Sequence, residues 1–312
     1  MLSCGLCPRM CGADRTGGQT GYCGMTDRIK AGRAALHMWE EPCLSGSRGS
    51  GTVFFSGCSL KCSYCQNAKL SSGDAGTEIT VERLSRIFLE LSEQGAHNIN
   101  LVTPTHFVPQ IVRAIGSARS DGLVIPVIYN SSAYENVSTI GLLRDFVDIF
   151  LPDLKYYDSE ISSRLSDAPD YFANASKAVS EMVRMQPEVV FDNEGMMVKG
   201  VIVRHLVLPG HTDDSRKVLK YLADAFGKSI YISIMNQYTP LKQNNCMPEM
   251  NRTVTEVEYD EVIDYALSLG IENGFIQEGS AADESFIPAF DGEGIYSSTQ
   301  AVISYRSCNS QE

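Results

Sequence analysis

Eight of the chain's ten cysteines, Cys4, Cys7, Cys11, Cys23, Cys43, Cys58, Cys62 and Cys65, fall within the first 65 of 312 residues, and only Cys246 and Cys308 follow. A disulfide framework spreads its bridges through a short exported domain. This chain is long, and its start, Met1-Leu2-Ser3-Cys4-Gly5-Leu6-Cys7, lacks the apolar run of a signal peptide. Closely spaced thiols in a reducing compartment converge on metal, because soft thiolates suit zinc and iron–sulfur clusters. We therefore expect a cytoplasmic metalloprotein. Sequons such as Asn136-Val137-Ser138 carry no meaning in that compartment.

The net charge of −12 argues against a phosphate-backbone partner, so no nucleic acid is expected. No apolar run approaches the length of a membrane span. A 43% hydrophobic and 21% charged composition is ordinary globular usage and excludes wholesale disorder.

Residues 1–51 form a glycine-rich leader with little apolar periodicity, expected to be irregular and held together by metal. Beyond it the pattern changes to short, continuously apolar runs at Thr52–Phe55, Asn98–Val102, Leu123–Tyr129, Val147–Leu151, Val198–Val207 and Ser229–Met235. Each has the signature of a buried parallel strand. Helix-period stripes lie between them, among them Val81, Leu84, Ile87, Phe88 and Leu91 behind Thr80 as N-cap, and Val108, Ile111, Val112 and Ile115. Three more stripes run through Ala175–Val183, Val218–Phe226 and Val262–Leu269. Strand–helix units in sequence imply right-handed crossovers and an α/β fold with a parallel sheet, open or rolled into a barrel. We expect a metal-binding leader over 1–51, a catalytic barrel over 52–280 and a tail over 281–312.

The first strand leads into Ser56-Gly57-Cys58-Ser59-Leu60-Lys61-Cys62-Ser63-Tyr64-Cys65-Gln66, a Cys-x3-Cys-x2-Cys loop with no fourth cysteine nearby in sequence. Three thiolates on a [4Fe–4S] cube leave one iron open, as a catalytic rather than a structural site requires. Tyr64, just before the third cysteine, is placed to border a ligand there. Polar residues also gather after the later strands, where parallel barrels build their sites. They include Thr103-Pro104-Thr105-His106, Asn130-Ser131, Asp153-Leu154-Lys155, Arg204-His205 and Gln237-Tyr238.

This loop resembles that of the radical S-adenosylmethionine (SAM) enzymes. The likeness is closest to the branch around pyruvate formate-lyase activating enzyme and its relatives with an extra N-terminal cysteine set. The resemblance implies a partial (β/α)6 TIM-type barrel with the cysteine-rich leader as an extension. It implies that Cys58, Cys62 and Cys65 hold a [4Fe–4S] cluster, which reduces SAM to methionine and a 5′-deoxyadenosyl radical that takes hydrogen from a substrate. On the same basis Asp153 and Lys155 meet the amino-acid end of SAM, and Gln237 or Tyr238 the adenosine. Tyr64, Gln66, Thr103, Thr105, Asn130, Ser131 and Arg204 complete the cofactor-binding set. An electron donor such as flavodoxin or ferredoxin is implied as a partner, as is a protein substrate, for example the glycine of a glycyl-radical enzyme.

Thr103-Pro104-Thr105-His106 stands where most of the superfamily carries Gly-Gly-Glu. Hydroxyls and backbone carbonyls then substitute for the missing acid, or His106 faces the substrate as a catalytic residue. We expect Thr105 and His106 to line the active site. In the leader, Cys4, Cys7, Cys11 and Cys23 offer four thiolates, enough to close a zinc site or hold a second [4Fe–4S] cluster. The segment His37–Cys43, with the sole tryptophan and the acid pair Glu40-Glu41, either contributes to the substrate side of the barrel mouth or packs as an interface. Cys246 is either a hydrogen donor near the mouth or a spare thiol on a loop, and Cys308 lies in a polar tail. Two alternatives stay open: a radical SAM enzyme acting on a small molecule or peptide, and a zinc-stapled, non-enzymatic interaction protein.

Overall fold

The computed structural model describes residues 3–240, 247–277 and 288–296, so Cys246 and Cys308 lie outside the described residues. Each of the six expected strands forms: β2 (Ser50–Phe55), β4 (Ile99–Val102), β5 (Val127–Ser131), β6 (Ile149–Pro152), β8 (Met197–Leu206) and β9 (Tyr231–Met235). All pair in parallel, in the order β9-β8-β6-β5-β4-β2. Every residue of β2, β5 and β6 is buried, which is why their sequences are continuously apolar or small. A further parallel strand, β10 (Gly274–Ile276), extends the sheet beyond β9. With only three residues, two of them exposed, it has no periodic signature to betray it. The sheet is open, ending at β10 on one side and at β3 (Thr77–Ile79) on the other. A two-residue β7 (Val190–Phe191) pairs antiparallel with the start of β8.

The five stripes become α3 (Val81–Glu93), α4 (Val108–Ser120), α7 (Tyr171–Met185), α8 (Thr212–Phe226) and α9 (Glu256–Ser268). Short helices α1 (Pro42–Ser45), α2 (Ala68–Ser71), α5 (Val137–Gly141) and α6 (Ser159–Ser166) lie in the connections. In α3 the Thr80 hydroxyl caps the Arg83 amide at 3.1 Å, and Leu84, Ile87, Phe88 and Leu91 are buried. Burying four such side chains stabilises by roughly 6–12 kcal/mol before conformational entropy is subtracted. A capping box between Thr255 and Glu258 starts α9 in the same local way. Among the described residues no helix is long and apolar enough to cross a membrane.

The leader departs from the irregular segment expected of it. Ile29–His37 forms β1, antiparallel to β2 along one edge (Ala34 opposite Val53, His37 opposite Ser50) and to β3 along the other (Ile29 opposite Ile79). The sheet therefore continues N-terminal to residue 51. Alanine and glycine give β1 almost no hydrophobic period, and two ladders rather than side-chain pattern hold it. Part of the expected tail is also ordered: the Ala34 amide donates to the Glu293 carbonyl (2.8 Å), Gly292 to Gly32 (3.0 Å), and Ile295 is buried.

Because β1 runs against β2, it delivers the chain to the N-terminal end of the parallel strands, where α1 crosses beneath the barrel. Cys43 and Leu44 of α1 pack with Ile128, Ile149, Leu151 and Ile202. Strand side chains alternate faces, so these residues share the inner face with Asn130, Asp153 and Arg204, one or two steps higher. The barrel is plugged below by the leader and open above, where the cysteine loop lies.

Candidate active site

β2 ends at Phe55, and the chain turns through Gly57, whose φ of +86° lies in the left-handed region. A side chain there would collide with Met25 and come within 2.7 Å of the Cys23 carbonyl, so the leader packs directly on the turn that presents Cys58. The loop is pinned from both sides. Arg9 donates Nε to the Ser59 carbonyl (2.8 Å), and the Ser63 amide donates to Leu165 (2.8 Å). Two sulfurs already accept hydrogen bonds, Cys58 Sγ from the Leu60 amide (3.4 Å) and Cys62 Sγ from Ser166 Oγ (3.0 Å).

Cys58, Cys62 and Cys65 together line a cavity of ≈510 Å³. Burial pushes the Cys65 thiol up to about 12 and raises Cys58, and each is raised further by its neighbouring loop cysteines. Thiols so placed ionise when a metal compensates their charge. Among the described residues no three His, Cys, Asp or Glu side chains close on a single ion. A cube takes one thiolate per iron, so its ligands are spread around it rather than gathered on one point. The donor set, its exposure to the cavity and the hydrogen bonds to sulfur fit a [4Fe–4S] cluster.

Most of the expected cofactor residues surround the same cavity: Tyr64, Gln66, Thr103, Asn130, Ser131, Asp153, Lys155, Arg204, Gln237 and Tyr238. Tyr64 Oη meets Tyr156 Oη at 2.6 Å, and its ring stands edge-on to Tyr238, with centroids 5.8 Å apart. Gln66 donates Nε2 to the Gln237 carbonyl (2.9 Å), closing the loop against β9. Thr103 takes a left-handed φ of +58° and donates its amide to the Asn130 carbonyl (2.9 Å). Lys155 Nζ lies 2.6 Å from Asp153 Oδ2; burial opposes the ammonium, but Asp153 overrides it and keeps the lysine charged.

Thr105 and His106 do not line the cavity, which corrects the expectation for both. Thr105 Oγ1 turns to Glu135 Oε1 (2.6 Å), and His106 Nε2 donates to the Ser56 carbonyl (2.6 Å). Behind His106, Arg15 Nη1 donates to its carbonyl at 2.6 Å. The left-handed Thr103 turns the chain outward, so the next residues brace the back of the cysteine loop. With Nε2 donating and Nδ1 unpartnered among the described residues, the His106 ring is neutral.

Burial lowers His106 to about 3 and His205 to about 4. Each takes up a proton in the unfolded chain before it does in the fold, so stability present above pH ~6.5 is lost as pH falls. Burial raises Glu135 to about 7, which acts in the opposite sense between its unfolded and folded values. For these three groups the balance between pH ~6.5 and ~4.5 is two histidines less one carboxyl, about 1.4 kcal/mol lost per pH unit. The lowered His37 and His97 add to the loss, and the raised Asp214 opposes it. Urea unfolding across that range measures the slope, and His106→Gln is expected to flatten it.

Asn100 and Ser233 were not expected near the site, whereas Glu40 and Glu41, the acid pair read above as either substrate-side or interfacial, line the cavity. Arg204 donates Nε to Glu41 Oε1 (2.8 Å) and Nη2 to Glu41 Oε2 (2.7 Å), with Nη2 also on Glu40. Asn100 Nδ2 donates to Glu40 Oε1 (2.7 Å), and Ser233 also hydrogen-bonds Glu41. The sequence signal was there: an arginine on the inner face of a buried strand requires a counter-charge, and Glu40-Glu41 is an acid pair within a neutral stretch.

In the leader, a Cβ on Gly21 would stand 3.2 Å from Cys11 Sγ and 3.5 Å from Cys23 Sγ, so these two sulfurs flank one backbone position. Cys4 hydrogen-bonds Cys11 and raises Cys7 and Cys23, which joins all four thiols in one group. Burial pushes Cys7 up to about 12, whereas Cys11 is exposed.

Comparison with known proteins places this geometry. The model of the radical SAM superfamily matches residues 52–222, more than half of the chain. An uncharacterized protein of Methanocaldococcus jannaschii is 28% identical over 276 residues, covering 85% of this chain and 74% of that protein. The pyruvate formate-lyase-activating enzyme of Staphylococcus aureus is 24% identical over 183 residues; the match spans 54% of this chain and 65% of that enzyme. Streptococcus suis SuiB, solved bound to S-adenosylmethionine, shows 13% identity and a TM-score of 0.47 over 71% of this chain, about half (48%) of that structure's length. The superfamily match removes the zinc-stapled, non-enzymatic alternative. A three-cysteine loop after the first parallel strand, opening on a walled cavity and matched together with its barrel, establishes that this chain belongs to the radical SAM superfamily of enzymes.

Proposed function

We propose that this chain cleaves SAM reductively and directs the resulting radical at a substrate inside the barrel. The observation that carries the reading is that Cys58, Cys62 and Cys65 share one ≈510 Å³ cavity with the polar ends of the strands. When bound, a [4Fe–4S] cluster supplies the electron that splits SAM into methionine and a 5′-deoxyadenosyl radical, which abstracts hydrogen from the substrate. Cys58, Cys62 and Cys65 would hold the cluster, with the Leu60 amide and Ser166 hydroxyl steadying two of the sulfurs. Asn130, Ser131 and the Asp153–Lys155 pair offer acceptors and donors for the charged amino-acid end, in place of the absent Gly-Gly-Glu. Gln66, Gln237 and Tyr238 border the adenosine, and Tyr64, edge-on to Tyr238 and hydrogen-bonded to Tyr156, excludes water.

The likeness to an activating enzyme supports a glycyl-radical enzyme as substrate, with flavodoxin or ferredoxin as electron donor. The barrel plug supports a second reading, a small molecule or a short peptide, because it closes the cavity from below. Deuterium from a labelled partner protein appearing in 5′-deoxyadenosine would favour the first. The class itself is tested by anaerobic reconstitution with iron and sulfide, followed by dithionite reduction with SAM. Production of 5′-deoxyadenosine is expected, and its absence would overturn the reading.

The leader thiols hold a second metal in this reading. About eight irons per reconstituted chain would mean two clusters, and about four with one zinc a structural staple. Four irons without zinc would leave the leader metal-free.

A further inference from the structure

At its lower end the cavity closes on charged groups that the chemistry of SAM cleavage does not use. Arg204 meets Glu41 through two hydrogen bonds, at 2.8 and 2.7 Å, so this carboxylate is fully engaged. Glu40 receives only a share of the same guanidinium, and its other oxygen rests on Asn100 Nδ2 at 2.7 Å. Among the described residues five charged side chains line the cavity, Glu40, Glu41 and Asp153 against Lys155 and Arg204. Asp153 is paired with Lys155 at 2.6 Å, so the surplus negative charge falls on Glu40. Asn100, which is fully buried, has no partner for its Oδ1 among the described residues. Trp39, 65% exposed, lines the same cavity one residue away.

These features have one chemistry in common. A carboxylate that must share its counter-ion with a second carboxylate calls for N–H groups bearing positive charge. An indole face nearby favours the same kind of group. An anion would meet the surplus carboxylate in a site where water screens little.

We propose that Glu40 and Trp39, which line the cavity, form the substrate-recognition subsite, and that it takes the ammonium or guanidinium group of a small molecule. Asn100, Glu41 and Arg204 are positioning residues that fix the Glu40 carboxylate. The proposal rests on the radical SAM reading for the use of the cavity, and it narrows the substrate class within that reading.

The test is an anaerobic titration of SAM-loaded holoenzyme with n-butylguanidinium, n-butylurea and n-valerate. Calorimetry measures affinity, and the emission of Trp39, the chain's one tryptophan, reports where binding occurs. Butylguanidinium is expected to bind saturably and shift the emission, with butylurea, its neutral isostere, at least about tenfold weaker and valerate not binding. Glu40→Gln is expected to remove the preference for the cation. Equal affinity for urea and guanidinium, preference for valerate, or no saturable binding would overturn the proposal. The same preparation is assayed for 5′-deoxyadenosine without added ligand. Loss of that product refutes the SAM-cleavage reading, whereas its presence together with any overturning result refutes the subsite alone.

Discussion

Replacing Cys62 by alanine is expected to remove SAM cleavage altogether. Cys62 lies between the other two loop cysteines, and its sulfur accepts the Ser166 hydroxyl at 3.0 Å. Among the described residues no other cysteine lines the cavity to take its place. With two thiolates instead of three, the cluster has no stable seat, so iron should fall by about four per chain and 5′-deoxyadenosine to the reagent background. Cys43→Ala is the matched control. Cys43 is buried and packs with Leu44, Ile128 and Ile149 in the barrel plug, away from the loop, so this variant is expected to keep both iron and activity. Full SAM cleavage by the Cys62 variant would rule out the loop as the cluster site.

The second large effect concerns stability. Arg204→Met is expected to cost about 3–5 kcal/mol, because it leaves two carboxylates in the barrel interior without their counter-charge. Burial pushes Glu41 up, and Arg204 more than reverses this, holding its carboxyl below the ordinary range. The guanidinium in turn is kept charged by Glu40 and Glu41 despite its own burial. Changing Glu40 and Glu41 to Gln as well is expected to restore most of the loss, since a neutral floor has no unpaired charge to desolvate. Urea unfolding of the single and triple variants measures both. A loss below about 1 kcal/mol for the single variant would mean that the triad is screened like a surface pair.

The same triad shows where reading along the chain stops. Glu41 and Arg204 are 163 residues apart, and nothing local to either names the other. The stripe of α3 and the apolar runs of β2, β5 and β6 are visible because each residue's burial repeats with the period of its own element. β1 is not, because Ala31, Gly32, Ala34 and Ala35 carry almost no apolar contrast, and its place is set by ladders to Val53 and Ile79. Thr105 and His106 follow a strand and are polar, as site residues are, yet one left-handed residue at Thr103 sends them behind the cysteine loop.

Sequence by itself determined the chemistry and the architecture. Three thiols at Cys-x3-Cys-x2-Cys, the tyrosine beside the third, and parallel strands alternating with amphipathic helices are all local patterns, and local patterns are written in consecutive residues. Only the tertiary structure decided how the cavity is bounded. It ran the leader under the barrel as a plug, lifted Glu40 and Glu41 to Arg204, and turned His106 towards Ser56 instead of inward. The physical reason is that a buried charge or a close-packed turn is satisfied by whichever group the fold brings within hydrogen-bond reach, and that choice depends on residues far away in sequence.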